Sequence, residues 1–158
     1  MHVRSLGRGR LGIATALLLT ALLLAGFAPG RSEAVPERTG RRMQMLQLTN
    51  HDRIRHDRDA LDFAGRLSRY AKQHSRAMAE AGYLFHSTAD ELRAVLDGYD
   101  WSIGGENIGV GGSLESLQEA FMASKPHRKN LLRREYDHAA FGIVRVDGRI
   151  WVTVIFYG

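Results

Sequence analysis

The sequence predicts an α+β domain in which helices come first and an antiparallel hairpin comes last. Apolar residues recur every three to four positions through most of the chain between residues 43 and 124, the period of a helix with one buried face. From residue 141 the period shortens to two. Asp147-Gly148 then separates two strand-like runs as a two-residue loop suited to a type I′ turn.

The chain opens with a basic stretch holding Arg4, Arg8 and Arg10, followed by an almost unbroken apolar run over residues 11–28. Small residues follow, and Ser32-Glu33-Ala34 offers an exit for a signal peptidase. Residues 1–34 therefore read as a signal peptide, with an uncleaved membrane anchor as the alternative. The arginines before the apolar run keep the N-terminus in the cytoplasm, so both readings place the rest of the chain outside. Residues 35–42 are polar, with Pro36 and Gly40, and read as a linker. Residues 43–158 are the globular domain, long enough for one modest core.

Within that domain Met45, Leu48 and Ile54 mark a first helix ending near His56. Asp62 is the expected N-cap of a second, whose inner stripe is Leu67, Tyr70, Ala71, His74, Ala77, Met78 and Ala81. Gly82 is placed to end it in the left-handed conformation. Thr88 and Glu91 form a capping box opening a short helix with Leu92, Val95 and Leu96 inward and Gly98 beyond its end. Five glycines within residues 104–112 point to close backbone approach and positive φ rather than a helix or a long strand. Ser113 caps a fourth helix facing inward through Leu114, Leu117, Ala120 and Phe121, and Pro126 disfavours its continuation. A turn or short helix spans residues 127–132. In the final strand Ile150, Val152, Val154 and Phe156 alternate with Trp151, Thr153, Ile155 and Tyr157. Both rows are largely apolar, so the strand is expected to be covered on both faces.

Charge and composition narrow the function. The formal net charge is +5, but residues 1–34 carry four basic residues against one acidic, leaving 18 against 16 in the remainder. The basic balance is largely a targeting feature. The Arg-rich stretch from Arg38 to Arg58 is interleaved with acids and lacks aromatic patterning, so it reads as a solvated helix face and nucleic acid is not an expected partner. The chain has no cysteine. That excludes disulfide scaffolds, thiolate metal sites, cysteine nucleophiles and a lipidated cysteine anchor.

Four short features stand out: Phe85-His86-Ser87, Gly105-Glu106-Asn107-Ile108, the segment from Phe121 through Ser124-Lys-Pro-His127-Arg128, and Phe141-Gly-Ile-Val144. Their order and spacing resemble the CAP superfamily, the SCP-like domains of cysteine-rich secretory, antigen 5 and pathogenesis-related proteins, in its cysteine-free bacterial branch. The resemblance covers residues 45–157. It implies a three-layer α-β-α sandwich with a central antiparallel sheet, and a cleft holding two histidines and two acids. By matching motif the histidines are His86 and His127 and the first acid is Glu106. Ser124 stands at the position of the second acid, so the set is incomplete. Phe121 stands where the family usually has Trp, and Pro126 where bacterial members usually have Gly.

Two neutral imidazoles converging from separate loops suit Zn²⁺ or another divalent metal. Glu106 could be a third ligand, an orienter of an imidazole or a base for a bound water. Alternatively, Glu106 and the histidines form only a hydrogen-bonded network that stitches loops to the sheet. No cofactor is required by the sequence. His74, within an apolar stripe, reads as a core histidine, and His51, His56 and His138 as exposed. Ser87 beside His86 lacks the strand–turn–helix setting of a nucleophile.

The resemblance implies a secreted or envelope-anchored binding module whose cleft of His86, Glu106, Ser124 and His127 engages a small or lipidic ligand or an envelope component. A membrane is expected to touch only the leader, if uncleaved. A hydrolase with Glu106 as candidate base and metal on His86 and His127, and a structural envelope protein, are the competing functions.

Overall fold

The computed structural model describes residues 37–158; the leader and its exit lie outside the described residues. Five helices and four strands follow in the order α1 (Glu37–Arg55), β1 (Asp62–Phe63), α2 (Ser68–Ala81), α3 (Ala89–Leu96), β2 (Gly104–Gly111), α4 (Leu114–Ala123), α5 (Lys125–Leu131), β3 (His138–Val146) and β4 (Arg149–Tyr157). The helix α1 begins inside the stretch read as a linker. The sheet order is β1-β3-β4-β2. All pairings are antiparallel except the two-residue β1, which runs parallel to β3. Asp62 lies in that strand; the N-cap position of α2 belongs to Leu67.

The two rows of β4 divide the core as their alternation requires. Ile150, Val152, Val154 and Phe156 pack with Met45 of α1, Leu114, Leu117 and Phe121 of α4 and Leu131 of α5. On the other face Trp151, Ile155 and Tyr157 pack against Ala71 and Met78 of α2 and Leu96 of α3. The result is helices on both faces of one sheet, the layering the sequence predicts.

Local chemistry sets most boundaries. Gly82 ends α2 at φ 78°, Thr88 and Glu91 form the expected capping box of α3, and Ser113 caps α4 through Ser116. Asp147 and Gly148, at φ 48° and 75°, turn β3 into β4 as a type I′ loop requires.

Four expectations are corrected. Residues 104–111 are a strand whose glycines have ordinary φ. They are needed because neighbours pack directly on them: a Cβ on Gly109 would sit 3.0 Å from the Phe121 ring, one on Gly111 2.9 Å from Leu117 Cγ, one on Gly104 2.7 Å from Leu96 Cδ1 and one on Gly105 2.2 Å from the Tyr136 hydroxyl. In α2 the buried face is Ser68, Ala71, His74, Ser75 and Met78, while Ala77 and Ala81 are exposed. In α1 Ile54 is exposed and Arg53 is fully buried, so that Arg-rich stretch is not wholly a solvated face. Ala120 of α4 is likewise exposed, its neighbour Gln118 being buried instead.

Candidate functional site

The candidate site forms along β2, an edge strand of the sheet. Glu106 pairs across the ladder with Ile155, and Asn107 with Val154. Alternation therefore sends the two side chains to opposite faces: Glu106 toward the α2/α3 layer and Asn107 toward α4/α5. This one dipeptide anchors the segments that bring His86 and His127.

On the first face, Gly82 turns the chain off α2 and Thr88 starts α3, fixing both ends of residues 83–87. The middle is tied to Glu106, whose side chain is buried. Glu106 Oε1 accepts from the Ser87 backbone N–H at 3.0 Å and meets His86 Nδ1 at 2.7 Å. Glu106 Oε2 accepts from the Ser87 hydroxyl at 2.7 Å, and Tyr70 donates to that hydroxyl at 3.1 Å. Burial raises the Tyr70 pKa above its ordinary value, partly offset by the bond to Ser87. An ionised carboxylate only accepts, so in the neutral imidazole His86 Nδ1 carries the hydrogen and Nε2 keeps its lone pair. The His86 side chain is 57% exposed.

His74 lies behind this assembly as a buried core histidine. Its Nε2 bonds Phe85 O at 2.8 Å, its ring meets Tyr70 and Phe85, and Nε2 is 3.9 Å from Glu106 Oε2. That distance exceeds a hydrogen bond, so His74 supports the floor of the site without binding Glu106.

On the opposite face, Asn107 donates to His127 O at 3.0 Å. Asn130 donates to Glu106 O and to Asn107 Oδ1, so α5 is fastened to β2 at two points. The His127 ring lies 5.1 Å from that of Phe121. Desolvation holds its pKa below the ordinary value, and charge on His86 lowers it further. The two imidazoles thus sense each other although they come from different layers. Ser124 sits at the α4–α5 junction with an extended backbone and makes no side-chain cap bond to α5.

Among the described residues no group of three or more His, Asp or Glu is gathered as a metal cage. Both oxygens of Glu106 are already engaged.

The cysteine-rich secretory protein (CAP) family model matches residues 46–156. The chain belongs to the CAP family. The uncharacterized Bacillus subtilis (strain 168) protein YkwD is 30% identical to this CAP chain over 115 residues, 68% of the chain and 44% of that protein. An extracellular SCP-domain protein from Bacillus anthracis superposes with a TM-score of 0.62 at 27% identity, covering 78% of the chain and 43% of its own. The outer surface protein of Borrelia burgdorferi shares the fold, with a TM-score of 0.64 at 17% identity, over 73% of this chain and 90% of that one. The CAP chain thus spans less than half the length of the two Bacillus relatives. Among the described residues no helix is long and apolar enough to cross a membrane.

Ser87, Tyr70, Asn107 and Asn130 hold the CAP site together and were not read as site residues from the sequence. Ser87 and Asn107 adjoin motif residues, which is the one feature that could have marked them. His138 is not simply exposed: it stacks on Tyr157 at 4.8 Å between centroids and meets Asp137 Oδ1 at 2.5 Å.

The lowered pKa of His127 has a testable sign. In the range between its folded value and the ordinary imidazole value near 6.5, the unfolded chain binds the proton and the folded chain does not. Stability is therefore complete above about pH 6.5 and falls as pH drops through the folded value. His127→Gln removes this contribution, so its melting temperature is expected to fall less than wild type between pH 7 and pH 5. Parallel curves would show that His127 is not desolvated.

Proposed function

We propose that this chain is an exported CAP-domain binding module that presents His86 Nε2 and the His127 imidazole to a divalent metal or to a small or lipidic ligand of the cell envelope. The observation that carries this reading is the engagement of both Glu106 oxygens, Oε1 twice and Oε2 once. A carboxylate that accepts from His86 Nδ1 and twice from Ser87 orients an imidazole and pins a loop. It is poorly placed to serve as a general base, because three of its roughly four acceptor positions are already taken. Binding is favoured over hydrolysis on that ground. Export rests on the basic-apolar leader and on the extracellular and outer-surface descriptions of the relatives.

The test is a Zn²⁺ titration of the full chain followed by melting temperature and calorimetry. Zn²⁺ is expected to stabilise wild type and to leave His86→Ala/His127→Ala unmoved. Equal shifts in both proteins would refute the two-imidazole site. Glu106→Gln should weaken Zn²⁺ binding by about 10- to 100-fold, as loss of an orienting partner does. Turnover abolished by that variant would instead restore the hydrolase.

A further inference from the structure

A second surface, outside the His86–Glu106 assembly, carries a concentrated charge of one sign. An open groove of ≈ 460 Å³ is lined by Lys125, Arg128, Lys129, Leu132, Arg133 and Glu135. Four of these six are cationic and one is acidic. Glu135 is engaged by Arg133 at 3.5 Å. Among the described residues no ion pair neutralises Lys125, Arg128 or Lys129, all three of which are exposed. Arg128 spends one N–H on Met122 O, leaving most of its donors available. Arg133 adds its charge from the edge of the groove, its guanidinium lying over the Tyr136 ring at 5.7 Å.

Leu132 and the aliphatic stems of the Lys and Arg side chains add carbon surface among the charges. A cationic groove with an apolar component complements an amphiphile better than a bare polyanion.

We infer that this groove docks the headgroup of an acidic phospholipid, with Lys125, Arg128, Lys129 and Arg133 facing the phosphate and Leu132 facing the start of the lipid's apolar part. This gives the domain its own contact with a membrane surface, beyond any made by the leader. It is independent of the Zn²⁺ reading, because no lining residue is His86, Glu106 or His127.

The test is a vesicle flotation assay on the full chain, comparing phosphatidylglycerol/phosphatidylcholine vesicles with pure phosphatidylcholine. Insertion of an apolar leader affects both vesicle types, so the readout is the ratio of the two partition coefficients. At low salt wild type is expected to prefer the anionic vesicles by at least about tenfold, and the preference should shrink as salt rises. Arg128→Glu/Lys129→Glu should cut that ratio by roughly tenfold or more. The milder Arg128→Ala/Lys129→Ala should cut it by about fivefold, which guards against a folding defect in the reversal. Arg145→Glu/Arg149→Glu makes the same charge change on exposed hairpin positions and should leave the ratio within about twofold of wild type. Equal loss in the groove and hairpin variants would overturn the inference in favour of diffuse net charge. An absent preference in wild type would also overturn it. If inorganic phosphate abolishes the preference at an ionic strength where chloride does not, the groove belongs to soluble phosphate and the lipid assignment fails.

Discussion

Replacing Arg53 with alanine is expected to destabilise the fold by about 3–5 kcal/mol, because buried carbonyls left without a donor cost about 1–3 kcal/mol each and packed volume is lost with them. Arg53 is fully buried and, among the described residues, has no carboxylate partner at bonding distance. Its guanidinium instead donates to four backbone carbonyls: Asp59 O at 2.7 Å, Leu131 O at 2.8 Å, Arg133 O at 2.9 Å and Tyr136 O at 3.0 Å. Desolvation lowers its pKa, Asp59 partly offsets this and Arg58 adds to it. Leu131 is the last residue of α5, so its carbonyl lacks an intrahelical donor. Arg53 supplies one from α1, and Arg58 does the same for Leu132 O at 2.8 Å. The chain thereby uses α1 to close the C-terminal end of the helix that carries His127. Arg53→Met should recover the packed volume yet remain costly, because the carbonyls lose their donor. Arg53→Lys keeps the charge but cannot reproduce a planar fork serving four acceptors. Urea unfolding of the three variants decides the matter. A methionine variant as stable as wild type would mean that the guanidinium only fills space.

Arg53 also marks the limit of what the sequence discloses. Met45, Thr49 and Arg53 are all fully buried and lie four residues apart on one face of α1. The spacing was visible. An arginine in a charged stretch is nevertheless read as solvated, because its burial depends on carbonyls some 80 positions away at the end of α5. Capping signals needed no such partners: Thr88 and Glu91, Ser113, Gly82 and Asp147-Gly148 act within a few residues, and each was legible. The glycines of β2 fall on the other side of this line. Their conformations are ordinary; what they accommodate is Leu96, Leu117, Phe121 and Tyr136, which only the folded chain brings there.

The same division runs through the candidate site. His86, Glu106 and His127 could be named from motif order, and His74 from the apolar stripe of α2. The division of labour between Glu106 and Asn107 could not, since it depends on β2 being an edge strand with a helical layer on either side. Ser87 was weighed only as a nucleophile. Its hydroxyl is committed between Tyr70 and Glu106, which makes it part of the apparatus that aims His86. A carboxylate engaged through both oxygens, a fixed loop and an exposed imidazole belong together physically: the bond from His86 orients its ring, and the two from Ser87 fix the loop that carries it.

Gly142→Ala is expected to be the most costly addition of a single methyl group in the domain, at about 3 kcal/mol or more and thus at or above the upper end of ordinary overpacking. A Cβ at Gly142 would fall 2.0 Å from the carbonyl carbon and oxygen of Ala71 and 2.4 Å from Lys72 N. All three atoms are backbone of α2, so no side chain can swing aside. The helix itself must lift from β3. That movement strains two bonds that hold it there, Ser68 Oγ accepting from Phe141 N at 3.0 Å and Ser75 Oγ donating to Gly142 O at 3.0 Å. It also disturbs the packing of Ala71 against the sheet and, one turn further, the floor beneath His74. Gly112→Ala is the matched control, because a Cβ there meets nothing within 4 Å and its φ is not positive. That change should be neutral or slightly stabilising through the unfolded chain. Similar melting temperatures for the two variants would mean that α2 does not seat on β3 at Gly142. A large loss confined to Gly142→Ala, with weaker Zn²⁺ binding, would tie the geometry of the candidate site to this one backbone contact.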